Sequence, residues 1–533
     1  MSSADVEHAE VAARADSEEV ELKLECDAAG LAVLARHPWL AEVAEGRATT
    51  RTLRNVYFDT PDLALWERGL VLRVREAGRR HSVGVKTRGR ARGGLVARKE
   101  VEAVLAGDVP DPRRLARDRL FGAIPDARLR AAIERAAAGK RLVPRVETRV
   151  RRTTRKLRQG TARIELALDV GEVRAGRHRI PIRELELERI AGSTRALFDV
   201  ALRLANDVVL VPGPRGKAER GFERLAGREA PPSRAEVPVL ARAASLDAAL
   251  AAVFGECLRH VTANQPAAAR GADPEGVHQM RVGIRRLRSG LRLFRSELPV
   301  ASVQALNREL GWLAGVLGEA RDLDVFLGEL MAPLRRSRPA DRGLAALEEA
   351  ARAARAEAYR ALRGALASSR YATLALRLGR FIEGAEWHRR GAAPLVGPAR
   401  PVVRRLLRHR AARLRLLGTH IGDLSAPDLH RLRIRAKRLR YGAELLAPLL
   451  GNEGPARAAR RLAELQDALG HLNDQATAEK LVARLHERLP EISSEVLHAE
   501  GFVMGYAASS AAAGQASLAN VWRRVEQLDP FWK

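Results

Sequence analysis

A chain of 533 residues with 46% hydrophobic content is long enough for more than one domain and apolar enough to bury sizeable cores, which excludes a disordered or collagen-like polypeptide. Its 93 Lys and Arg against 65 Asp and Glu leave a formal charge of +28, so a polyanionic partner is the first to consider. A chain so rich in Ala, Arg, Gly and Leu also looks like the product of a GC-rich genome, and charge alone names no ligand.

In chain order, residues 1–19 are polar and acidic with no apolar run, so no secretory signal is expected there. Eight segments then alternate with period two and are predicted as strands: Glu19–Glu25, Thr52–Phe58, Gly69–Glu76, Ser82–Arg88, Val96–Val104, Arg145–Leu157, Ala162–Val170 and Pro181–Ile190. A helical stretch, Pro112–Ala138, separates the fifth from the sixth. Residues 223–242, carrying Pro231, Pro232 and Pro238, are predicted as a linker. Beyond about Ser245 the texture changes to long Ala/Leu/Arg segments of helical period. Gly501–Trp522 is uncharged and of spanning length, but its Ala, Gly and Ser content with Gln515 and Asn520 suits a packed helix better than a membrane span. Two distant cysteines, Cys26 and Cys257, give no disulfide framework and suit a reducing compartment, so a cytoplasmic location is expected.

Sorted by parity, the strands separate charge from apolar side chains. Glu19, Glu21 and Lys23 oppose Val20, Leu22 and Leu24; Arg73 and Arg75 oppose Leu72 and Val74; Arg98, Glu100 and Glu102 oppose Val101 and Ala103; Glu165 and Asp169 oppose Ile164, Leu166 and Leu168; Glu184, Glu186 and Glu188 oppose Leu185 and Leu187. A solvated outer face would also alternate. Acid triplets along one strand repel one another, however, and are better explained by cations bound between carboxylates. A closed barrel with a charged interior would hold carboxylates for a metal and Arg and Lys for an anion, a combination suited to phosphoryl chemistry.

Glu19-Val20-Glu21-Leu22-Lys23 resembles the ExExK signature of the CYTH domain, the triphosphate tunnel metalloenzyme family. Further motifs follow in order: Tyr57-Phe58-Asp59-Thr60-Pro61, Leu72-Arg73-Val74-Arg75, Lys86 in VGVKTRG, the RKEVE run at Arg98–Glu102, the LDVGE run around Asp169, ELELE at Glu184–Glu188, and Lys217 in GKAERGF. The resemblance covers about residues 17–222. It implies an α+β domain, an eight-stranded antiparallel tunnel with covering helices, that hydrolyses triphosphates with Mg2+ or Mn2+. It also implies Glu19, Glu21, Asp169, Glu184 and Glu186 as metal ligands or water-positioning carboxylates. Glu19, Glu21 and Lys23 would be catalytic, and Arg73, Arg75, Lys86, Arg152 and Lys217 would hold phosphates. Glu100, Glu102 and Glu165 are read instead as partners for Arg inside the lumen. Among family substrates, inorganic triphosphate demands the fewest features beyond those present.

The second half contains a repeat. His278-Gln-Met-Arg281-Val-Gly-Ile-Arg285-Arg286-Leu-Arg288 matches His430-Arg-Leu-Arg433-Ile-Arg-Ala-Lys437-Arg438-Leu-Arg440 at an offset of 152, and Leu317-Gly318 with Asp322 matches Leu469-Gly470 with Asp474 at the same offset. On a helix His278, Arg281, Arg285, Arg288 and Arg292 fall within an arc of about 80°, with Met280, Ile284, Leu287, Leu291 and Phe294 in a separate arc. A solvated face is the ordinary explanation of such a run, but solvation has no need of a repeated His/Arg/Lys order. A bound polyanion would relieve the repulsion of stacked cations. The two His lack a second His or Cys at ligand spacing on their helices, which argues against a metal site. These motifs resemble the CHAD domain over about residues 243–525. The resemblance implies an all-α domain of two duplicated four-helix bundles with a basic surface for inorganic polyphosphate, carried by His278, Arg281, Arg285, Arg288, His430, Arg433, Lys437 and Arg440. Asp322 and Asp474 are expected to orient these bases.

The combined expectation is a triphosphatase fused to a polyphosphate-binding domain that concentrates substrate or locates the protein at polyphosphate granules. The alternative is a non-enzymatic polyphosphate-binding scaffold. Nucleic acid is disfavoured because only 4% of residues are aromatic and no basic stretch is interleaved with them.

Overall fold

The computed structural model describes the chain except for residues 1–17, 88, 106, 108, 110, 116, 214, 229–230, 390–394, 396, 452, 490–491 and 533. It divides into two compact units: residues up to Pro231 together with Ala367–Gly384, and Pro232–Leu366 with Ala385–Lys533.

The first unit is built on a curled antiparallel sheet of ten strands. All eight predicted strands are present: β1 (Glu18–Glu25), β2 (Thr49–Asp59), β3 (Leu70–Ala77), β4 (Arg80–Thr87), β6 (Leu95–Val104), β7 (Val143–Gln159), β8 (Ala162–Ala175) and β9 (His178–Ala191). Arg88, the expected end of the fourth strand, lies outside the described residues. Two short strands were not expected from the sequence, β5 (Arg90–Arg92) and β10 (Val211–Pro212), because three and two residues are too few to show a period. The sheet order is β10-β1-β9-β8-β7-β2-β3-β4-β6-β5, and β1 pairs a second time, with β6. Glu18–Leu22 lie against Leu95–Lys99 of β6, while Glu21–Glu25 lie against Glu184–Glu188 of β9, so the order returns on itself at β1.

One face of the sheet packs against helices. Val20, Leu22, Leu24, Leu166, Leu185 and Leu187 bury against α1 (Ala28–Ala35) and α3 (Arg195–Leu204). Val56, Leu72, Val74, Val83 and Val85 bury with Ile133 and Ala136 of α2 (Ala127–Ala137). The predicted helical stretch from Pro112 is broken into a 3-10 turn, a six-residue helix and α2. The other face is concave and carries the charges. Helix α4 (Lys217–Leu225) follows β10, so Glu223, Arg224 and Leu225, expected in the linker, are helical.

Helices α5 (Leu246–Arg270), α6 (Pro274–Leu293), α7 (Val300–Val325) and α8 (Arg342–Leu366) pack in succession in the second unit, with α8 returning to α5. Helix α9 (Ser369–Glu383) packs in the first unit, where Leu376 joins the α3 core and Arg380 pairs with Asp199 at 2.7 Å. The other long helices are α10 (Ala399–Gly418), α11 (Ala426–Leu450), α12 (Glu453–Ala468), α13 (Gly470–His486) and α14 (Ser494–Glu526), and α6 and α11, which carry the two repeats, touch each other. Gly501–Trp522 lies within α14, and among the described residues no helix is long and apolar enough to cross a membrane. The expected linker is partly clamped: Asn264 exchanges hydrogen bonds with the Ser233 backbone, and Arg286 donates to the Glu236 carbonyl at 3.0 Å.

Candidate active site and basic pocket

Register brings four carboxylates to the middle of the concave face. Asp169 of β8 pairs across to Glu184 of β9, Glu186 sits two residues on, and Lys23 of β1 lies opposite Glu186. Oxygens of Asp169, Glu184 and Glu186 lie within 4.8 Å of one another, and all three residues are buried. Cations hold them there. Lys217, at the start of α4, reaches Asp169 at 2.8 Å, Glu184 at 2.6 Å and Glu186 at 2.7 Å. Arg152, directly opposite Asp169 on β7, donates to Asp169 and Glu186. Lys23 bridges Glu21 at 2.8 Å and Glu186 at 2.5 Å, and Arg220 pairs with Glu184. Four carboxylates thus face four cations. Burial works to raise Asp169 and Glu186, but Lys217 and the neighbouring cations outweigh it and hold both below the ordinary carboxylate range. Burial also pulls Lys217 down, and the three carboxylates more than restore it.

A second group lies on β3, β4 and β6. Arg73 donates to Glu100 at 2.6 Å and Glu102 at 2.9 Å; Arg75 lies 3.5 Å from Glu102 and donates to Asn55 at 3.1 Å; Lys86 pairs with Glu100 and, at 3.4 Å, with Glu19. Gly84 makes the crossing possible. It stands between Arg73 and Glu102 in the register, and a Cβ there would sit 3.0 Å from Arg73 Nε. Burial, opposed by Lys86, leaves Glu19 above the ordinary carboxylate range, with Glu21 and Glu100 adding to the rise. Glu102 is held at about 2, since Arg73 and Arg75 overcome the burial that would raise it.

The five carboxylates proposed from the sequence as a set are therefore not brought together. Asp169, Glu184 and Glu186 cluster, Glu21 joins them through Lys23, and Glu19 sits with the second group because β1 turns from β9 to β6 at that point. Arg152, rather than Arg149 or Arg151, faces the carboxylates; Arg149 pairs with Glu147 at 2.7 Å, and Arg151 is exposed. Glu100 and Glu102 are partners for Arg73, as expected. Arg220 was missed. Its signal is position, three residues after Lys217 on one helix face. Beyond the charges, Phe222 and Ala218 of α4 bury with Trp66, Val146, Val150 and Val173, which anchors the helix that presents Lys217.

In the helical unit, the two repeats converge on one pocket of about 380 Å³. His278, Arg281 and Arg285 of α6 face it with His430, Arg433 and Lys437 of α11. Arg321 and Asp322 of α7 and, beyond it, Glu329 complete the charged lining; Arg281 contacts Asp322 at 3.1 Å, and Arg321 lies 3.6 Å from Glu329. Arg321 was not singled out from sequence, although it adjoins Asp322 in the same motif. Arg288 and Arg440, predicted for the same surface, are not in the lining; Arg440 lies over the Tyr441 ring and 3.6 Å from Glu444. The Asp474 side chain lies outside the described residues. Crowded positive charge marks the pocket electrically. Burial, then Arg433, Arg285 and Arg281, pull Lys437 down to about 8; burial and Arg321 lower His278; burial and the neighbouring Arg281, Arg440 and Arg433 lower Arg285.

The structure thus defines a protein of two parts, a β unit with a buried carboxylate and cation site and a helical unit with one basic pocket built from a duplicated motif. Residues 17–208 match the family model of the CYTH domain and residues 252–483 that of the CHAD domain, so the chain belongs to these families, one following the other. An inorganic triphosphatase of Haemophilus influenzae is 28% identical over 171 residues, 32% of this chain and 45% of that protein. The chain therefore spans less than half the length of that curated relative. The CHAD domain of the plant Ricinus communis is 32% identical over 56% of this chain and 98% of its own, with a TM-score of 0.49. PptA from Streptomyces chartreusis is 19% identical over 53% of this chain and 98% of its own, with a TM-score of 0.38.

Proposed function

We propose that the first unit hydrolyses inorganic triphosphate in a metal-dependent reaction and that the helical unit binds inorganic polyphosphate. The observation that carries the reading is the buried trio Asp169, Glu184 and Glu186 on the same concave surface as Arg73, Arg75 and Lys86. Carboxylates this close are the hard oxygen donors that Mg2+ or Mn2+ takes. Bound there, the ion would neutralise phosphate charge and favour deprotonation of an attacking water.

In this reading the strand path β1-β9-β8-β7-β2-β3-β4-β6 is an eight-stranded tunnel. Asp169, Glu184 and Glu186, with Glu21 beside them, hold the ion; Glu19, above the ordinary carboxylate range, and Glu21 orient water; Lys23 acts with them as the third catalytic residue. Arg73, Arg75, Lys86, Arg152 and Lys217 take phosphate oxygens, exchanging their present carboxylate partners for the anion. Neutralisation and alignment of a highly charged chain supply most of what phosphoryl transfer requires of a protein. The helical unit, read as two duplicated four-helix bundles, takes a longer phosphate chain through His278, Arg281, Arg285, His430, Arg433 and Lys437, with Arg288 and Arg440 at the margin, and so holds the enzyme where its substrate is abundant, as at polyphosphate granules.

Phosphate release from triphosphate, long polyphosphate, ATP and thiamine triphosphate, each with and without divalent metal, tests the first part. Triphosphate should be preferred, and Glu19→Ala or Glu21→Ala should abolish the metal-dependent rate. Unchanged rates in both variants would remove the β unit as the catalyst. Isothermal titration with polyphosphate tests the second, on the intact chain carrying Arg285→Ala and Arg433→Ala. Truncation after residue 240 is a poorer test because it removes α9 from the first unit.

A further inference from the structure

The basic stripe of α6 does not stop at the pocket. Arg281 and Arg285 line it, and Arg288 and Arg292 continue the same face, an axial rise of about 16 Å from the first to the last at 1.5 Å per residue. At its far end the stripe meets two other helices. Arg410 of α10 donates to the Arg292 carbonyl at 2.8 Å, and Arg435 of α11 donates to the Arg413 carbonyl of α10 at 2.6 Å. Arg438 of α11 lies close enough to Arg292 and Arg435 to feel their charge.

Five arginines from three helices thus gather on one face. Among the described residues none of Arg292, Arg410, Arg413, Arg435 and Arg438 pairs with a carboxylate. The acids nearby are engaged elsewhere, Glu297 with Arg405 at 3.2 Å and Glu444 with Arg440 at 3.6 Å. Helix α10 carries seven arginines and no Asp or Glu. A surface serving only solubility intersperses both signs. Here backbone carbonyls hold two of the guanidinium groups, Arg438 Nε is buried with no hydrogen-bond partner, and burial with Arg438 and Arg413 pulls Arg410 down to about 10. Such an arrangement is costly without an anion and is relieved by one.

We propose that Arg292, Arg410, Arg413, Arg435 and Arg438 form a second anion-binding face, continuous with the pocket along Arg288, that takes the emerging length of a polyphosphate chain. The inference rests on polyphosphate as the pocket's ligand and adds to it a preference for chain length. A triphosphate seated in the pocket does not extend along the stripe, whereas a long chain occupies both surfaces, so affinity rises with length through effective concentration.

The test is a binding titration of a chain-length series, from triphosphate to long-chain polyphosphate, on the intact protein at matched salt. The first unit's contribution cancels between variants. Arg413→Ala, Arg435→Ala and Arg438→Ala together should weaken long-chain binding at least tenfold and flatten its salt dependence, as lost counterion release requires. They should leave the shortest chains, triphosphate hydrolysis and the melting temperature unchanged. Lys at the same three positions should restore most of the affinity. Long-chain affinity unchanged in the Ala variant, or equal weakening at every length, overturns the proposal. So does loss of DNA binding with long-chain affinity retained, which would make the face a nucleic-acid surface. Failure of the pocket reading is seen separately, as Arg285→Ala with Arg433→Ala leaving every length unaffected.

Discussion

Lys217→Met removes the cation that, among the described residues, alone touches all three clustered carboxylates, at 2.8, 2.6 and 2.7 Å, from a side chain only 12% exposed. Removing one partner of a buried ion pair typically costs about 3–5 kcal/mol, because the remaining charge stays buried without compensation. Arg152 and Arg220 still face the trio, which places the expected loss near the lower end, about 3 kcal/mol. Denaturant unfolding of the intact chain in chelator, followed by hydrogen exchange of β8 and β9 amides to isolate the first unit, measures it. Saturating Mg2+ or Mn2+ should then restore more stability to the variant than it adds to the parent, because an ion binding only the folded state stabilises through mass action and no longer competes with the ammonium. The deficit should also shrink at acid pH, where the carboxylates protonate. A loss below about 1 kcal/mol, or the same loss with and without metal, would refute the claim that Lys217 compensates a metal-competent cluster.

Gly84→Val should displace the buried Arg73 guanidinium from Glu100 and Glu102, which raises the KM for triphosphate and also lowers the stability of the first unit; an unchanged KM would show that the crossing is not needed. Acid sensitivity follows from Glu102 and Glu147, both held at about 2 against 4.5 for a free Glu; for Glu147, Arg149, Arg54 and Arg113 outweigh burial. A depressed folded-state value contributes stability that is present above about 4.5 and lost as pH falls toward 2, so an acid titration of the first unit should show its stability declining across that interval. Polyphosphate binding should weaken as pH rises through 8, where Lys437 loses its proton, by up to about tenfold per pH unit, and Lys437→Arg should flatten that profile.

Strand content was legible because alternation survives over five or more residues, and the charged face was legible because its parity repeats from strand to strand. Closure was not. Only the second pairing of β1 decides that Glu21 joins the Asp169 group while Glu19 lies with Lys86. The repeat offset announced the pocket, since two equal stripes had to face something, yet Arg321 and the arginines of α10 carry no period distinguishing them from compositional bias. Nor does helical period say which core a helix joins. Leu376 and Arg380 of α9 read like any amphipathic helix, and only the packing on α3 assigns them to the first unit.

Metal-dependent hydrolysis at the buried carboxylates is tested most directly by phosphate release from inorganic triphosphate by the intact protein, titrated with Mg2+ or Mn2+, beside Glu184→Gln and Glu186→Gln. The expected result is no turnover in chelator, a saturable rise with metal in the parent, and loss of that rise in both variants together with weakened metal binding by calorimetry. Turnover independent of added metal, or variants that keep the full metal response, would contradict it.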